Sequence, residues 1–293
     1  MLRAAPLTVR RVDRAAGTSQ TNLARRGFAM LPVLVGIPVF SVVVPAFNEE
    51  RCIGAFLASV SRYLNSQGLP WEIVVVDDGS RDGTVRIVRR WADADDRVRL
   101  LKESHRGKGS AISRGMLAAR GRWRFMADAD LSVSPDDWAV FLDAARQPDA
   151  APVIVGSREA AGARRIGEPL ARHVIGRAFN RIVQMLAVRG IKDTHCGFKL
   201  LDEDAAQALC RHLTIDGFAF DVELLVLARR AGLRIQEVGV IWTWRSDSRV
   251  RLKTGAAAFI DIVRIRWRDL RGRYNGVTSH RPTAAPGANR AAS

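Results

Sequence analysis

Short runs of β-branched and other apolar residues recur along the first half of the chain, and stretches with helical spacing separate them. The runs cover residues 40–44, 73–76, 98–101, 124–126 and 153–155. Helices are predicted between them, near residues 49–67, 82–91 and 108–119. Continuous apolar strands alternating with amphipathic helices are typical of a mostly parallel sheet with helices on both faces. The pattern therefore predicts a doubly wound, Rossmann-like α/β fold.

The same pattern divides the chain into four segments. Residues 1–36 are rich in Arg, Ala, Thr and Ser without periodicity, which predicts a mobile basic arm. Residues 37–250 carry the strand and helix pattern and form the predicted main domain. Residues 251–274 are predicted as a basic amphipathic helix, and residues 275–293, which lack an apolar period, as a disordered tail.

Residues 27–47 carry no charged side chain, and a bilayer span needs about 20 apolar residues. The stretch contains Pro32, Gly36, Pro38 and Pro45, and its last part has the composition of a buried strand. Proline is tolerated inside spanning helices, so membrane insertion remains the alternative. We favour a core strand with an apolar lead-in.

Two stretches in the second half combine helical spacing with arginine. Residues 172–188 bring Ile175, Phe179 and Ile182 to one face, and residues 255–273 do the same for Phe259 and Trp267. Basic amphipathic helices with aromatic side chains are candidates for the membrane interface. The alternative, a core-packed helix with a solvated basic face, stays open.

Composition narrows the class of partner. The chain has 46 Lys and Arg against 30 Asp and Glu, a net charge of +16, which favours an anionic partner. Only 7% of residues are aromatic, and no nucleic-acid-binding motif is present, so nucleic acid is not expected. Three widely spaced cysteines fit a reducing compartment rather than a disulfide framework.

Acidic residues follow three of the predicted strands. Glu49 lies after the first strand, Asp77 after the second, and Asp128 and Asp130 after the fourth. One such cluster is weak evidence, because acidic residues often cap helices. Three clusters at the carboxyl edge of one sheet would repel one another unless cations offset them. Oxygen ligands of this kind suit Mg²⁺ or Mn²⁺ bridging a diphosphate.

Four motifs in this order resemble a known family: SVVVPAFNEE, IVVVDDGSRDGT, HRGKGSAISRG and FMADADLSVSPDD. They are similar to those of the family 2 glycosyltransferases, which have the nucleotide-sugar-binding glycosyltransferase A fold. The downstream segments DTHCGFKLL and FAFDVELL resemble a narrower branch, the dolichyl-phosphate β-glucosyltransferases and the related polyprenyl-phosphate mannosyltransferases. The resemblance spans about residues 40–272 and makes residues 37–250 the expected catalytic domain.

The resemblance implies the residues of the donor site. Pro45, Ala46 and Glu49 would hold the nucleoside, with Glu49 towards the base or ribose, and Asp77 would contact the base. Asp128 would contact the donor as well as the metal.

Asp128 and Asp130 match the family's DxD pair, in which the second carboxylate is the firmer ligand for Mg²⁺ or Mn²⁺. Mannosyl relatives usually carry Gln two residues beyond this pair, and here the residue is Ser132. That departure weakens the mannosyl interpretation and leaves one metal ligand open.

The resemblance also implies an acceptor site. Arg158 and Arg172 would bind the acceptor phosphate, a role that suits the planar guanidinium group. Asp221 is a candidate base or sugar-hydroxyl ligand, and Glu223 shares that interpretation or lies on a helix surface.

Lys108, His195 and Cys196 are not expected to take part in the chemistry of transfer. Lys108 is expected to start a helix close to the donor pocket, with a phosphate contact as the alternative. His195 and Cys196 have no partners at catalytic spacing and are expected to be structural or to line the pocket.

Together these features predict an inverting, metal-dependent glycosyltransferase. The expected donor is a nucleotide sugar, UDP-glucose favoured, and the expected acceptor is a polyprenyl or dolichyl phosphate. The alternatives are transfer of mannose from GDP-mannose, transfer of an amino sugar, and a family 2 enzyme that acts on a hydroxyl group. The expected location is the cytoplasmic side of a membrane, by peripheral contact through the basic amphipathic helices.

Overall fold

The computed structural model describes residues 38–245 and 252–278, and side chains are described outside residues 252–256. The strands are β1 Phe40–Ala46, β2 Trp71–Asp78, β3 Val98–Glu103, β4 Trp123–Met126, β5 Val153–Ser157, β6 Arg164–Ile166, β7 Lys199–Asp202, β8 Ile235–Gly239 and β9 Ile241–Thr243. The α-helices are α1 Ile53–Gln67, α2 Thr84–Ala94, α3 Lys108–Ala118, α4 Ala139–Ala145, α5 Leu170–Leu186, α6 Glu203–Cys210, α7 Phe220–Arg230 and α8 Leu252–Leu270. A 3-10 helix, Pro135–Trp138, precedes α4.

Seven strands form one sheet in the order β3-β2-β1-β4-β7-β5-β8. Strand β7 runs antiparallel to both of its neighbours, whereas the other pairs in this sheet are parallel. Strands β6 and β9 form a separate parallel pair. The register places Ala46 beside Asp77 and Val43 beside Met126. The carboxyl ends of β1, β2 and β4 therefore meet at one edge.

Strand β1 shows why the sheet is covered on both faces. Val42 and Val44 point into one apolar cluster with Phe56 of α1, and Val43 points into a second cluster with Met116 of α3. All five side chains are fully buried. Burial stabilises each of them by about 1.5–3 kcal/mol. A strand that is covered on both faces is therefore apolar throughout and does not alternate with polar residues. The predicted mostly parallel α/β sheet with helices on both faces is confirmed.

The five predicted strands are present, and most extend a few residues beyond the predicted limits. The apolar runs did not predict β6, β7, β8 or β9. Of these, β7 is the one antiparallel strand of the large sheet within the described residues. Its segment has only four residues and begins with Lys199, whose buried ammonium group depends on a partner distant in sequence. A local pattern of apolar residues does not reveal such a strand.

Strand β1 also settles part of the question about residues 27–47. Residues 40–46 form a central strand of the sheet and not the end of a helix. No helix within residues 38–245 and 252–278 is long and apolar enough to cross a membrane. The predicted arm, residues 1–36, lies outside the described residues.

The terminal helix α8 packs against the main domain. Its Ile262 and Ile265 side chains are buried in the core cluster on the α3 side of the sheet. Tyr274 and Val277 follow the helix and are also buried. The predicted start of a disordered tail at residue 275 is therefore wrong, because Val277 is part of the core. Residues 279–293 of the predicted tail lie outside the described residues.

Helices α5 and α8 leave large apolar side chains exposed. In α5 only Val183 is buried, whereas Leu170 is 82% exposed and Ile175 69%. In α8, Trp267 is 50% exposed and Leu270 68%. The core-packed alternative for α5 is not supported. Helix α8 packs through one face and keeps a second apolar face exposed.

Glu223 of α7 ties the C-terminal end of the chain to the core. Its side chain is fully buried, and Oε2 accepts hydrogen bonds from the backbone amides of Thr214 and Ile215, each 2.8 Å long. Oε1 accepts the Tyr274 hydroxyl at 2.8 Å and the Thr214 hydroxyl. Four donors thus hold one carboxylate away from the cavity described below. The predicted role for Glu223 in sugar binding is wrong.

Replacement of Glu223 by Gln should lower the free energy of unfolding by about 3 kcal/mol, because the amide removes the charge and turns an NH₂ group towards donors. Urea denaturation followed by circular dichroism measures this change. The control is Glu103→Gln, which removes a surface ion pair between Glu103 and Arg114. That control should cost less than about 1 kcal/mol. Equal losses in the two variants would contradict the structural role of Glu223.

Candidate active site

A cavity of about 1560 Å³ opens at the carboxyl ends of β1, β2 and β4. This is the edge at which open α/β sheets bind ligands. The loop after β1 and the start of α3 line one part of it, and the segment 193–198 lines another. Helices α5 and α8 contribute apolar side chains, including Ile175, Phe179 and Phe259. The cavity therefore joins an acidic region to an apolar one.

The loop after β1 is fastened to the loop after β2. The backbone amide of Asn48 donates to the Ser80 hydroxyl at 2.8 Å. The side-chain oxygen Oδ1 of Asn48 accepts a hydrogen bond from the backbone amide of Arg81 at 2.7 Å. Asn48 has a φ of 53°, a left-handed conformation that Asn tolerates better than most residues. The Glu49 amide donates to the Thr84 hydroxyl at 2.7 Å. These bonds fix the loop that carries the predicted donor residues.

The predicted donor residues divide into two groups. Pro45, Ala46, Glu49 and Asp128 line the cavity. Asp77 does not line it: the side chain is buried, and its carboxylate accepts the Ser80 amide at 3.3 Å. The neighbouring Asp78 lines the cavity instead, because successive strand residues point to opposite sides. The base contact of Asp77 stays a prediction.

Asp78 fixes the position of helix α3. Its carboxylate accepts the backbone amides of Arg106 at 2.8 Å and Gly107 at 3.0 Å, and it hydrogen-bonds the His105 ring at 2.8 Å. Gly107 has a φ of 131°, and a Cβ there would lie 2.4 Å from the Asp216 carbonyl oxygen. Only glycine fits this position. The next residue, Lys108, consequently starts α3 at the cavity wall.

Lys108 pairs with the first carboxylate of the DxD motif. Its Nζ lies 2.6 Å from Asp128 Oδ1. Burial alone would lower the pKa of Lys108, but the carboxylates of Asp128, Asp221 and Asp130 outweigh it and hold the pKa above its ordinary value. The sequence analysis placed Lys108 near the donor pocket but did not predict this ion pair.

Asp130 completes the acidic pair. Its Oδ1 accepts the Ser132 amide at 2.9 Å. Burial and the charge of Asp128 raise the pKa of Asp130, so a cation beside the pair would stabilise both carboxylates. A Cβ at Gly197 would lie 2.6 Å from Asp128 Oδ2, so glycine leaves room for this carboxylate.

This donor set fits a divalent cation held in part by a ligand. Carboxylate oxygens are preferred by Mg²⁺ and Mn²⁺. Within the described ranges, no group of three His, Cys, Asp or Glu side chains is arranged to hold a metal. Mg²⁺ usually keeps several water molecules and binds one or two carboxylates together with substrate phosphates, which is what Asp128 and Asp130 offer.

Asp221 lies in the cavity wall in contact with a buried ammonium group. It pairs with Lys199, which is 1% exposed and also donates to the Cys196 carbonyl oxygen at 2.5 Å. The sequence analysis did not identify Lys199. The proposed action of Asp221 as a base or sugar ligand stays a prediction, and any such action takes place beside the Lys199 charge.

The Arg158 side chain is engaged by a buried aspartate. Its Nε and Nη2 donate to the two oxygens of Asp193 at 2.7 and 2.9 Å, and the Arg158 amide adds a third bond at 2.9 Å. Burial opposes both charges, but the pair holds the pKa of Asp193 well below its ordinary value and that of Arg158 above it. Asp193 therefore occupies the Nε–Nη2 edge of the guanidinium group. Arg158 lines the cavity, and its contact with the acceptor phosphate stays a prediction. Arg172 also lines the cavity.

Hydrogen bonds fix the tautomer of His195. Asn180 Oδ1 accepts both the amide and the hydroxyl of Thr194, so the Thr194 oxygen accepts from His195 Nδ1 at 2.8 Å. The proton is thus assigned to Nδ1 by its partners. Burial lowers the pKa of His195 to about 4 and raises that of Cys196 to about 11. Both are neutral near pH 7, in agreement with a structural or pocket-lining role.

The family model described as Glycosyl transferase family 2 matches residues 41–210. This match covers more than half of the chain and includes the loop after β1, the DxD pair and β7. The chain belongs to glycosyl transferase family 2 and is a glycosyltransferase, as the motifs predicted.

Curated relatives are dolichyl-phosphate β-glucosyltransferases. The chain is 35% identical over 249 residues to the one from Dictyostelium discoideum, covering 79% of this chain and 75% of that one. It is 32% identical over 257 residues to the Saccharomyces cerevisiae enzyme, covering 80% and 76%. A Trichomonas vaginalis relative is 33% identical over 235 residues, covering 77% and 72%.

Among solved structures, the chain is similar to glucosyl-3-phosphoglycerate synthase from Mycobacterium tuberculosis, in complex with Mn²⁺, uridine diphosphate and phosphoglyceric acid. The TM-score is 0.63 at 19% identity, and the match covers 90% of this chain and 85% of that one. At this identity the likeness establishes the fold. The predicted glycosyltransferase A fold is confirmed.

The buried imidazole of His195 should make the free energy of unfolding fall as the pH is lowered. An unfolded histidine takes a proton near pH 6.5 and the folded one only near pH 4. Stability is therefore lost as the pH falls from about 6.5 to 4, and the loss ends below that window. Between pH 7.0 and 4.5, His195→Gln should lose about 2 kcal/mol less than the wild type. The charged groups around His195 (Asp221, Asp193, Lys199 and Arg158) remain in both proteins.

Urea denaturation at the two pH values measures this difference. The control is His212→Gln, because His212 is an exposed histidine. The control should keep the pH dependence of the wild type. A wild-type slope in His195→Gln would show that the folded protein protonates His195 as readily as the unfolded chain does.

Proposed function

We propose that this protein transfers glucose from UDP-glucose to a polyprenyl phosphate such as dolichyl phosphate, with inversion at the anomeric carbon. The observation that carries the proposal is the cavity itself. One end holds Asp128 and Asp130 at the sheet edge, and the other is lined by apolar side chains of α5 and α8. A lipid phosphate has the matching combination of an anionic head and an apolar chain. The names of the curated relatives support the same donor sugar and acceptor.

The proposed donor site follows from the described contacts. Pro45 and Ala46 at the end of β1 bind the nucleoside together with Glu49, whose backbone amide is held by Thr84. Asp128 and Asp130 hold Mg²⁺ or Mn²⁺, which would offset the charge on the departing diphosphate. The apolar walls limit the access of water to the reacting groups.

The proposed acceptor needs little activation. A phosphate monoester has a second pKa near ~6, so it is largely a dianion at neutral pH and attacks without a strong base. Arg172 is the guanidinium proposed to bind it, because Arg172 lines the cavity on α5. Arg158 also lines the cavity and is the second guanidinium proposed for the acceptor phosphate, while its bonds to Asp193 hold the 193–198 segment beside β5. Asp221 then orients a sugar hydroxyl or the acceptor.

We further propose peripheral contact with the cytoplasmic side of a membrane. Helices α5 and α8 contact each other, and both expose apolar side chains next to basic ones. The exposed side chains on the two helices include Leu170, Val174, Ile175, Met185, Phe259, Ile260, Val263, Trp267 and Leu270. Such a surface would place the mouth of the cavity at the depth of a lipid phosphate.

The purified protein should transfer glucose from UDP-glucose to a short polyprenyl phosphate in the presence of Mn²⁺. GDP-mannose and UDP-linked amino sugars should serve poorly, and a free alcohol of the same chain length should not be glycosylated. Chromatography of radiolabelled lipid products measures all of these outcomes. A preference for another donor would reject the assignment of glucose, and transfer to the alcohol alone would reject the phosphate acceptor.

Asp130→Asn tests the metal site within the same assay. The change keeps the shape of the side chain and removes its charge, so turnover should fall by at least a hundredfold, which corresponds to about 3 kcal/mol of lost transition-state stabilisation. Asp137→Asn, on the 3-10 helix, is the control and should retain activity. Unchanged turnover in Asp130→Asn, with or without a chelator, would reject the metal assignment.

Vesicle binding tests the membrane proposal. Binding to vesicles with anionic lipid should weaken as salt rises from 0.1 to 0.5 M, because salt screens the basic residues. Replacement of Trp267 and Leu270 by Ser should weaken binding at least tenfold, since each side chain would otherwise be buried in lipid. The control is Val140→Ser, which removes an exposed apolar residue from α4. Equal binding of all three proteins would show that α8 does not contact the membrane.

A further inference from the structure

Lys108 places its ammonium group beside an oxygen atom of Asp128 that a bound metal would use as a ligand. Its Nζ lies 2.6 Å from Asp128 Oδ1, and Asp221 and Asp130 also act on its charge. The two side chains of the ion pair are largely buried, with 20% of Lys108 and 28% of Asp128 exposed. At this separation an ammonium group and a divalent cation cannot both occupy the near side of Oδ1. The two cations therefore compete for one carboxylate.

The position of Lys108 is built into the backbone. Asp78 binds the amide of Gly107, and the Gly109 amide donates to the Asp216 carbonyl oxygen at 2.7 Å. A Cβ at Gly109 would lie 2.2 Å from the Ile215 carbonyl oxygen. The start of α3 is thus locked against the 215–217 loop. These contacts fix the backbone of Lys108 in the cavity wall. Movement of the Lys108 ammonium group therefore depends on its long side chain.

Asp128 has little freedom to avoid the competition. Its Oδ2 approaches Gly197 so closely that a Cβ there would lie 2.6 Å away. The Gly197 segment thus lies on the Oδ2 side of the carboxylate, and Oδ1 is the oxygen that faces Lys108. A cation that binds Asp128 at Oδ1 must consequently replace the Lys108 ammonium, which then loses its partner in a largely buried place.

We propose that the Lys108 ammonium group occupies the metal's position beside Asp128 until a diphosphate binds. The metal then replaces Lys108, so that the metal and the nucleotide bind together. The inference rests on the proposed function only in taking Asp128 as a metal ligand. Binding of the metal alone leaves the Lys108 ammonium beside a second cation, which is unfavourable. Binding of the metal with a nucleoside diphosphate supplies negative charge for both cations. Lys108 is a positioning residue for the cation site, and it suppresses metal binding in the absence of donor.

Titration of Mn²⁺ without nucleotide, followed by the electron paramagnetic resonance signal of free Mn²⁺, tests the inference. The wild type should bind weakly, and uridine diphosphate should strengthen its Mn²⁺ binding strongly. Lys108→Met keeps the length of the side chain without the charge, so it should bind Mn²⁺ at least tenfold more tightly without nucleotide. The strengthening by uridine diphosphate should shrink by a similar factor.

Two further variants serve as controls. Lys108→Arg keeps a cation beside Asp128 and should bind Mn²⁺ as weakly as the wild type. Lys102→Met removes an exposed lysine from β3 and should change nothing. Thermal unfolding gives a second measurement: Lys108→Met should melt at a lower temperature in chelator and gain more from Mn²⁺ than the wild type does. That gain also tests the idea if the variant folds poorly without metal.

Two results would overturn the inference. One is Mn²⁺ affinity in Lys108→Met equal to or weaker than that of the wild type. The other is tight Mn²⁺ binding by the wild type that ignores uridine diphosphate. The titrations contain neither sugar nor acceptor, so they are independent of the transfer assay. A protein that shows the Lys108 effect but transfers no glucose contradicts the proposed function alone, and a glucosyltransferase without the effect contradicts this inference alone.

Discussion

Carboxylates gathered at the carboxyl edge of a parallel sheet are the constraint on which this structure depends. Each needs a compensating donor or cation, because burial makes an isolated charge costly. The protein satisfies Asp77 and Asp78 with backbone amides, and Asp193 and Asp221 with Arg158 and Lys199. These internal partners hold the loops in place. Asp128 and Asp130 also line the cavity, and their partners there are the Lys108 ammonium group and the Ser132 amide.

The compensating partners also determine which elements surround the cavity. Asp78 holds the residues before α3, and thereby places Lys108 beside Asp128. Asp193 binds Arg158 across 35 positions of sequence, and so joins the 193–198 segment to the end of β5. Each of these carboxylates thus binds a different part of the chain.

The sequence predicted most of the fold but less of the site. Apolar runs identified five strands, since fully buried strands need no partner information. Strand β7 escaped because Lys199 depends on Asp221, 22 residues away. Motif resemblance brought Pro45, Ala46, Glu49 and the DxD pair to one cavity, but it gave no means of choosing between neighbouring aspartates.

Long-range pairing explains the predictions that changed. Glu223 belongs to a motif that suggested ligand binding, yet four donors inside the protein saturate its carboxylate. Arg158 is engaged along one edge by Asp193, a pairing that its motif did not reveal. Backbone amides satisfy both Asp77 and Asp78 at the end of β2, so fewer carboxylates at this edge need a cation than the number of acidic residues suggested. A pattern records which charges are present but not which donors the fold brings to them.

The net charge of +16 takes on a more specific meaning in this structure. Some arginines on the main domain are engaged by carboxylates, as in the Arg165–Glu159 and Arg165–Glu168 pairs near the cavity. Those charges shape the site and attract little from outside. Basic residues beside the exposed apolar faces of α5 and α8 act differently, because nearby apolar groups favour lipid over water. The excess charge is therefore expected to matter most where it accompanies apolar surface, at the mouth of the cavity, where an anionic lipid head would enter.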